Sequence, residues 1–92
     1  MKLSRKSATA KVAKLENWTL KGIVIARVFR FRDFAEAMRF VNKVARLAEA
    51  ANHHPDIAIN YNRVRLALTT HDEGGLTERD FRLARKINAL VK

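Results

Sequence analysis

The sequence predicts a two-layer α+β sandwich in the order α-β-β-α-β-β-α, a four-stranded antiparallel sheet with helices on one face. Two observations lead there. The spacing of apolar residues switches between the 3.6-residue period of helices and the two-residue period of strands. The period-two stretches also come in two pairs, each joined by a short turn signal, which reads as two hairpins.

The first helix is expected over Ser4 to Leu15, where Ala8, Val12 and Leu15 fall roughly on one face. Trp18 to Phe31 then reads as a hairpin. Trp18 and Leu20 alternate, Lys21-Gly22 turns the chain, and Ile23, Ile25, Phe29 and Phe31 follow at period two, an alternation that Arg27 interrupts. Asp33 is an N-cap with Glu36 as capping-box partner. The long helix it opens has Phe34, Met38, Val41, Ala45 and Ala48 as its apolar stripe and ends near Ala51-Asn52, because His54 precedes Pro55 and is held out of helical geometry. A second hairpin spans Ile57 to Thr70. Ile57, Ile59 and Tyr61 form one alternation, Val64, Leu66 and Leu68 the other, and the turn falls at Tyr61-Asn62-Arg63, where asparagine tolerates turn geometry. Asp72-Glu73-Gly74-Gly75 is a loop by composition. Thr77 caps a last helix that buries Phe81, Ala84, Ile87 and Val91 or Leu90.

Composition bounds the rest. A chain of 92 residues with 48% apolar content makes one domain, residues 1–92, near the lower size limit for a self-sufficient core, so self-association is expected. No apolar run approaches the roughly 18 residues of a membrane helix. The basic start lacks the apolar stretch of a secretory signal. Absence of cysteine excludes disulfides and thiolate metal sites, and a cytoplasmic location is expected. The formal charge of +10 would attract polyanions. The charge is spread over the helices, apart from Lys2, Arg5, Lys6, Lys11 and Lys14 ahead of the first acid, Glu16, and no aromatic RNA-binding motif accompanies it. It therefore reads as a solvated basic surface. A nucleic-acid- or protein-binding module is the alternative class. An acid-poor start also suits a transit segment, but these residues are needed for the first helix.

The chemistry-bearing residues are three histidines, all in breaks between elements. His53 and His54 follow the long helix and His71 follows the last strand. Imidazole exchanges protons near neutral pH, and a hairpin returning along the sheet would bring His71 back toward His53-His54. Task-free loop histidines are the competing reading. A third is a metal site: Glu49 and His53, four apart on a helix face, with His71 would give a two-histidine, one-carboxylate ligand set.

The run Glu49-Ala-Ala-Asn-His53-His54-Pro55, followed by Tyr61, His71 and Asp80, resembles the signature of the pterin-4a-carbinolamine dehydratases. That signature is a charged residue, three spacers, His-His-Pro, an aromatic, a further histidine and an aspartate. The likeness continues at Trp18, Phe31-Arg-Asp-Phe34, Tyr61-Asn62, Thr70-His71 and Gly75-Leu-Thr-Glu-Arg79-Asp80, covering about residue 17 to the end. The first helix is more Lys-rich than is usual in the family, and the first hairpin looks a residue short.

The resemblance implies the same α-β-β-α-β-β-α fold and a metal-free lyase that dehydrates 4a-hydroxytetrahydropterin to quinonoid dihydropterin, as in tetrahydrobiopterin recycling. It implies His53 and His71 as acid–base groups and His54 as a residue that shapes the site, with the division of protons open. Pro55, Thr70, Asp72 and Glu73 would meet the pterin, with Glu49, Trp18, Arg79 and Asp80 as wall or support. Core packing for Trp18 and helix capping for Asp80 are the plainer readings. No metal or cofactor is implied beyond the pterin substrate. Partners implied are a second copy in a homodimer or homotetramer and an aromatic amino acid hydroxylase supplying the substrate. Vertebrate relatives also bind a homeodomain transcription factor. Nucleic acid and membrane are not among the expected partners.

Overall fold

The computed structural model describes residues 1–91. Its elements are α1 (Arg5–Ala13), β1 (Thr19–Lys21), β2 (Val24–Arg30), α2 (Phe34–Ala51), β3 (Asp56–Asn60), β4 (Arg63–Leu68) and α3 (Glu78–Ala89), in the expected order. The strands form one antiparallel sheet with order β1-β2-β4-β3. The two hairpins are joined through β2 and β4, with Ile25 opposite Leu68 and Phe29 opposite Val64.

The register decides which side chains are buried. Ile25, Phe29, Val64, Leu66 and Leu68 share one face and are at most 3% exposed. Ala37, Phe40, Val41, Val44 and Ala48 of α2 and Phe81, Leu83, Ala84 and Ile87 of α3 are buried with them, and Ala8 of α1 joins the same core. Each fully buried large side chain contributes about 1.5–3 kcal/mol by leaving water. Trp18, Phe29, Phe40 and Phe31 form an aromatic row, with Phe29 and Phe40 centroids 4.7 Å apart and Trp18 edge-on to Phe29 at 6.3 Å. The other sheet face presents exposed Val28, Arg30, Arg63 and Arg65. Among the described residues, no helix is long and apolar enough to cross a membrane.

Four expectations are corrected at the level of individual residues. Arg27 does not interrupt the strand. It keeps the inward register of Ile25 and Phe29, lies over the Phe29 ring at 4.3 Å and donates from Nη1 to Asn88 Oδ1 at 2.6 Å. Burial pushes its guanidinium below the usual value, opposed by the charge of Glu16, and its Nε is buried with no partner among the described residues. The first turn falls one residue later than expected: Lys21 ends β1, Gly22 takes φ +62°, and Ile23 is 54% exposed. In the second turn the positive φ (+52°) falls on Tyr61, while Asn62 donates its side-chain amide to Phe31 O at 2.9 Å. The apolar stripe of α2 is also rotated. Phe34 and Ala45 are exposed, and Ala37, Phe40 and Val44 take the core positions. Of the two residues offered for the end of the last helix, Leu90 packs against the core and Val91 is 38% exposed.

The helix caps follow the sequence more closely. Asp33 Oδ1 accepts the Glu36 N–H at 2.9 Å, which holds the Asp33 carboxyl below its ordinary range. Glu36 reaches back one residue further than a capping box requires and accepts from the Arg32 N–H. In α3 the box is complete: Thr77 Oγ1 accepts from Arg79 N–H and Asp80 Oδ2 accepts from Thr77 N–H at 2.9 Å.

Candidate active site

The end of α2 separates the two adjacent histidines. Asn52 takes a left-handed conformation (φ +50°, ψ +44°), with its N–H on Ala48 O and Glu49 O. The reversal lets His53 N–H bond Ala48 O at 3.1 Å and turns the His53 side chain inward, where it is 8% exposed. Pro55 keeps His54 extended, and that imidazole stays 54% exposed.

His53 meets a carboxylate that α3 places in the core. Asp80, with no exposed surface, is 2.5 Å from His53 Nε2 through Oδ1. Its second oxygen accepts the Thr77 N–H at 2.9 Å and the Thr70 hydroxyl at 2.8 Å, and Thr70 and Thr77 hydroxyls are themselves 2.9 Å apart. A carboxylate with no exposure is tolerated only when its lone pairs are satisfied, and here both oxygens are engaged. One residue therefore performs two tasks: Oδ2 closes the helix cap and Oδ1 orients the imidazole. With Nε2–H donated to Asp80, Nδ1 is the nitrogen left to accept a proton, the arrangement of a histidine base held by a carboxylate.

The same network anchors the turn that bears His71. Thr70, 1% exposed, pairs with Gly75 in an isolated bridge, and His71–Glu73 form one turn of 3-10 helix closed by Gly74 at φ +72°. His71 is thus the residue next to one held by the carboxylate that holds His53. Its own side chain is exposed.

A cavity of about 160 Å³ is lined by Ala51, His53, Arg79, Arg82, Leu83 and Lys86. Of the three histidines only His53 lines it. The expected convergence is therefore realised through Thr70 and Asp80, not through three imidazoles in one pocket. Thr70, read from the sequence as a pterin contact, and Asp80, read as wall or support with capping as the plainer role, are both buried behind His53. Asp72 and Glu73 are exposed, and Asp72 accepts from Arg79 at 3.4 Å. Pro55 is half-buried beside His54. Trp18 belongs elsewhere: it is 5% exposed and donates to Asn88 Oδ1 at 2.8 Å, within the aromatic core. Glu49 pairs with His54 at 2.6 Å, not with His53, because Asn52 ends the helical spacing that would have aligned them. The ligand set of Glu49, His53 and His71 is not assembled, and no group of three or more His, Cys, Asp or Glu side chains among the described residues could hold a metal ion. The sequence reading passed over Ala51, Arg82, Leu83 and Lys86. For Arg82, Leu83 and Lys86 the signal was the i, i+3/4, i+7 spacing from Arg79 along α3; Ala51, at the end of α2, carried none.

Fold and site together define a small α+β protein built around a carboxylate-held histidine suited to proton transfer. The family described as pterin 4 alpha carbinolamine dehydratase matches residues 1–90. A protein of Acidobacterium capsulatum provisionally named as such a dehydratase is 58% identical over 97% of each chain. One of Sulfurisphaera tokodaii with the same provisional name is 49% identical over 98% of this chain and 97% of its own. A crystal structure from Brucella melitensis, described as a transcriptional coactivator/pterin dehydratase, superposes with a TM-score of 0.94 at 37% identity over both full chains. The chain belongs to the pterin carbinolamine dehydratase family, whose reaction is that of a hydro-lyase.

Proposed function

We propose that the protein dehydrates a 4a-hydroxytetrahydropterin to the quinonoid dihydropterin by histidine acid–base catalysis, with His53 as base. The carbon–oxygen bond at C4a breaks, the hydroxyl leaves as water with a proton from an acid, and the ring nitrogen gives its proton to a base. The His53–Asp80 pair beside a cavity supports this reading most directly. Asp80 fixes the tautomer and supplies the counter-charge when Nδ1 takes the ring proton, and His71, exposed on the neighbouring turn, gives its proton to the departing hydroxyl. Each transfer is worth about 10²–10⁴-fold in rate, and two proton transfers complete the reaction without a metal or redox cofactor. The test is stopped-flow decay of freshly generated carbinolamine. His53→Ala and His71→Ala should each slow it by at least about 10²-fold. Equal acceleration by wild type and by the double variant would dismiss catalysis here.

Tetrahydrobiopterin recycling behind an aromatic amino acid hydroxylase, in the cytoplasm, is the setting this chemistry suits. Self-association into a dimer or tetramer fits the sheet, since β1 covers β2 only as far as Ala26 and Ile57 and Ile59 on edge strand β3 are 39% and 37% exposed.

A second reading, polyanion binding beside catalysis, is favoured by one observation. Arg30 and Arg63 stand directly opposite on the uncovered sheet face, next to Arg65, and like charges so placed destabilise a sheet. Nucleic-acid binding that weakens steeply with salt and is lost on replacing these arginines supports it; salt-insensitive binding dismisses it.

A further inference from the structure

The cavity beside His53 has a charge that a neutral pterin ring does not use. Arg79, Arg82 and Lys86 line it from one side of α3, while Ala51 and Leu83 give it apolar walls. Arg79 has a carboxylate, Asp72, at 3.4 Å. Glu78, four residues before Arg82 on the same helix, is engaged by Lys11 and by Arg85 at 3.9 Å; the hydrogen bond from Lys11 first, then the charges of Lys11, Arg85 and Arg82, hold its carboxyl below the ordinary range. Among the described residues, neither Arg82 nor Lys86 has a salt-bridge partner.

Two features of this placement disfavour folding. Arg82 and Lys86 are four apart on one helix, where like charges repel. Arg79 also lies in the first turn of α3, where the helix end carries positive dipole charge. At 160 Å³ the cavity is below the roughly 300–1,000 Å³ of typical small-molecule sites, so it holds one end of a ligand and leaves the remainder along the cationic stripe.

We propose that the ligand engaged by His53 bears an anionic substituent, a phosphate or carboxylate, which Arg82 and Lys86 bind with support from Arg79. In combination with the pterin reading, on which this rests, the preferred substrate is a pterin carbinolamine with an acidic tail at C6. Arg82 and Lys86 are then specificity-determining residues and take no part in proton transfer.

Equilibrium binding tests this without relying on catalysis. Three 7,8-dihydropterin probes are titrated by fluorescence: one with a neutral trihydroxypropyl tail, its terminal phosphate monoester, and a 6-carboxylate. In wild type, one or both acidic probes should bind about tenfold tighter than the neutral one, from two partly exposed charge pairs. That ratio should approach one at high salt and in the Arg82→Gln/Lys86→Gln variant, whose altered side chains are exposed, while neutral-probe affinity stays unchanged. The acidic probe that gains more identifies the anion. A wild-type ratio below about twofold, or one retained in the variant, overturns the proposal. If acidic probes are discriminated but neither the neutral nor the acidic-tailed carbinolamine is dehydrated any faster, the lyase reading falls and the anionic subsite stands. Failure of all three probes to bind overturns the subsite.

Discussion

Two neighbouring histidines each pair with a carboxylate, and the two pairs have little else in common. His53 and Asp80 are 8% and 0% exposed, and the aspartate is held by two further donors. His54 and Glu49, 2.6 Å apart, are 54% and 77% exposed, and among the described residues no other bond to either side chain anchors them. The distances are alike, so distance does not rank them. A buried pair depends on complete hydrogen bonding, and removing one partner leaves an uncompensated polar group in the core. An exposed pair exchanges its partner for water at almost no cost. The left-handed Asn52 produces the difference by sending adjacent side chains to opposite environments.

Asp80→Ala is the harshest way to break the comparison. It strands the His53 imidazole and the Thr77 N–H at once, takes one of the two partners of the Thr70 hydroxyl and removes the carboxylate half of the α3 capping box. A loss of about 3–5 kcal/mol is expected, read as a large fall in thermal midpoint. The conservative Asp80→Asn keeps volume and part of the cap but can present an amide N–H to His53, favouring the wrong tautomer. Folding should largely survive while kcat falls by up to about 10⁴, as for carboxylates that orient a catalytic histidine. A variant that is well folded and fully active would remove Asp80 from the mechanism.

Thr70→Val sharpens the contrast by keeping shape and removing the hydroxyl that bonds Asp80 Oδ2 and Thr77 Oγ1. A loss of about 1–3 kcal/mol is expected. It should come with a lower kcat and an altered pH–rate profile, because the turn bearing His71 loses its tie to Asp80. A stability loss with an unchanged profile would make Thr70 a structural residue only.

How much of this was legible in the sequence follows the same division between local and non-local causes. Element order, the Asp33 and Thr77 caps and the break at His54-Pro55 were readable because each rests on a few neighbouring residues. The three histidines were readable as candidates for the same reason. The pairing of β2 with β4 rests on non-local contacts. So does the junction of Asp80 with His53, 27 residues apart, which only packing of α3 against the end of α2 creates. Arg27 was misjudged because a charged residue at an inward position looks like a broken strand until Asn88 and the Phe29 ring are seen to receive it. The α2 stripe was rotated because Phe34 was counted as core. The Glu49–His53 pairing failed on a single backbone conformation at Asn52, which spacing alone does not reveal.

The exposed pairs give the small end of the scale. A double-mutant cycle of Glu49→Ala and His54→Ala should yield a coupling of about 0.2–1 kcal/mol that shrinks with added salt. His54→Ala should lower kcat/KM far less than His53→Ala. An equal loss would place both imidazoles on the substrate and end the distinction drawn from burial. Glu78 with Lys11 is of the same order, at a few tenths up to about 1 kcal/mol, since both side chains are more than a third exposed. Its carboxyl is lowered in the folded state, first by the hydrogen bond from Lys11. Its contribution is therefore complete above the unfolded glutamate value of about 4.3 and fades as pH falls through the lower folded value. Glu78→Gln should flatten the acid limb of the stability curve relative to wild type and lower the stability at neutral pH only slightly. A difference curve that grows toward acid would reverse the sign and show that Lys11 does not stabilise the charged carboxylate in solution.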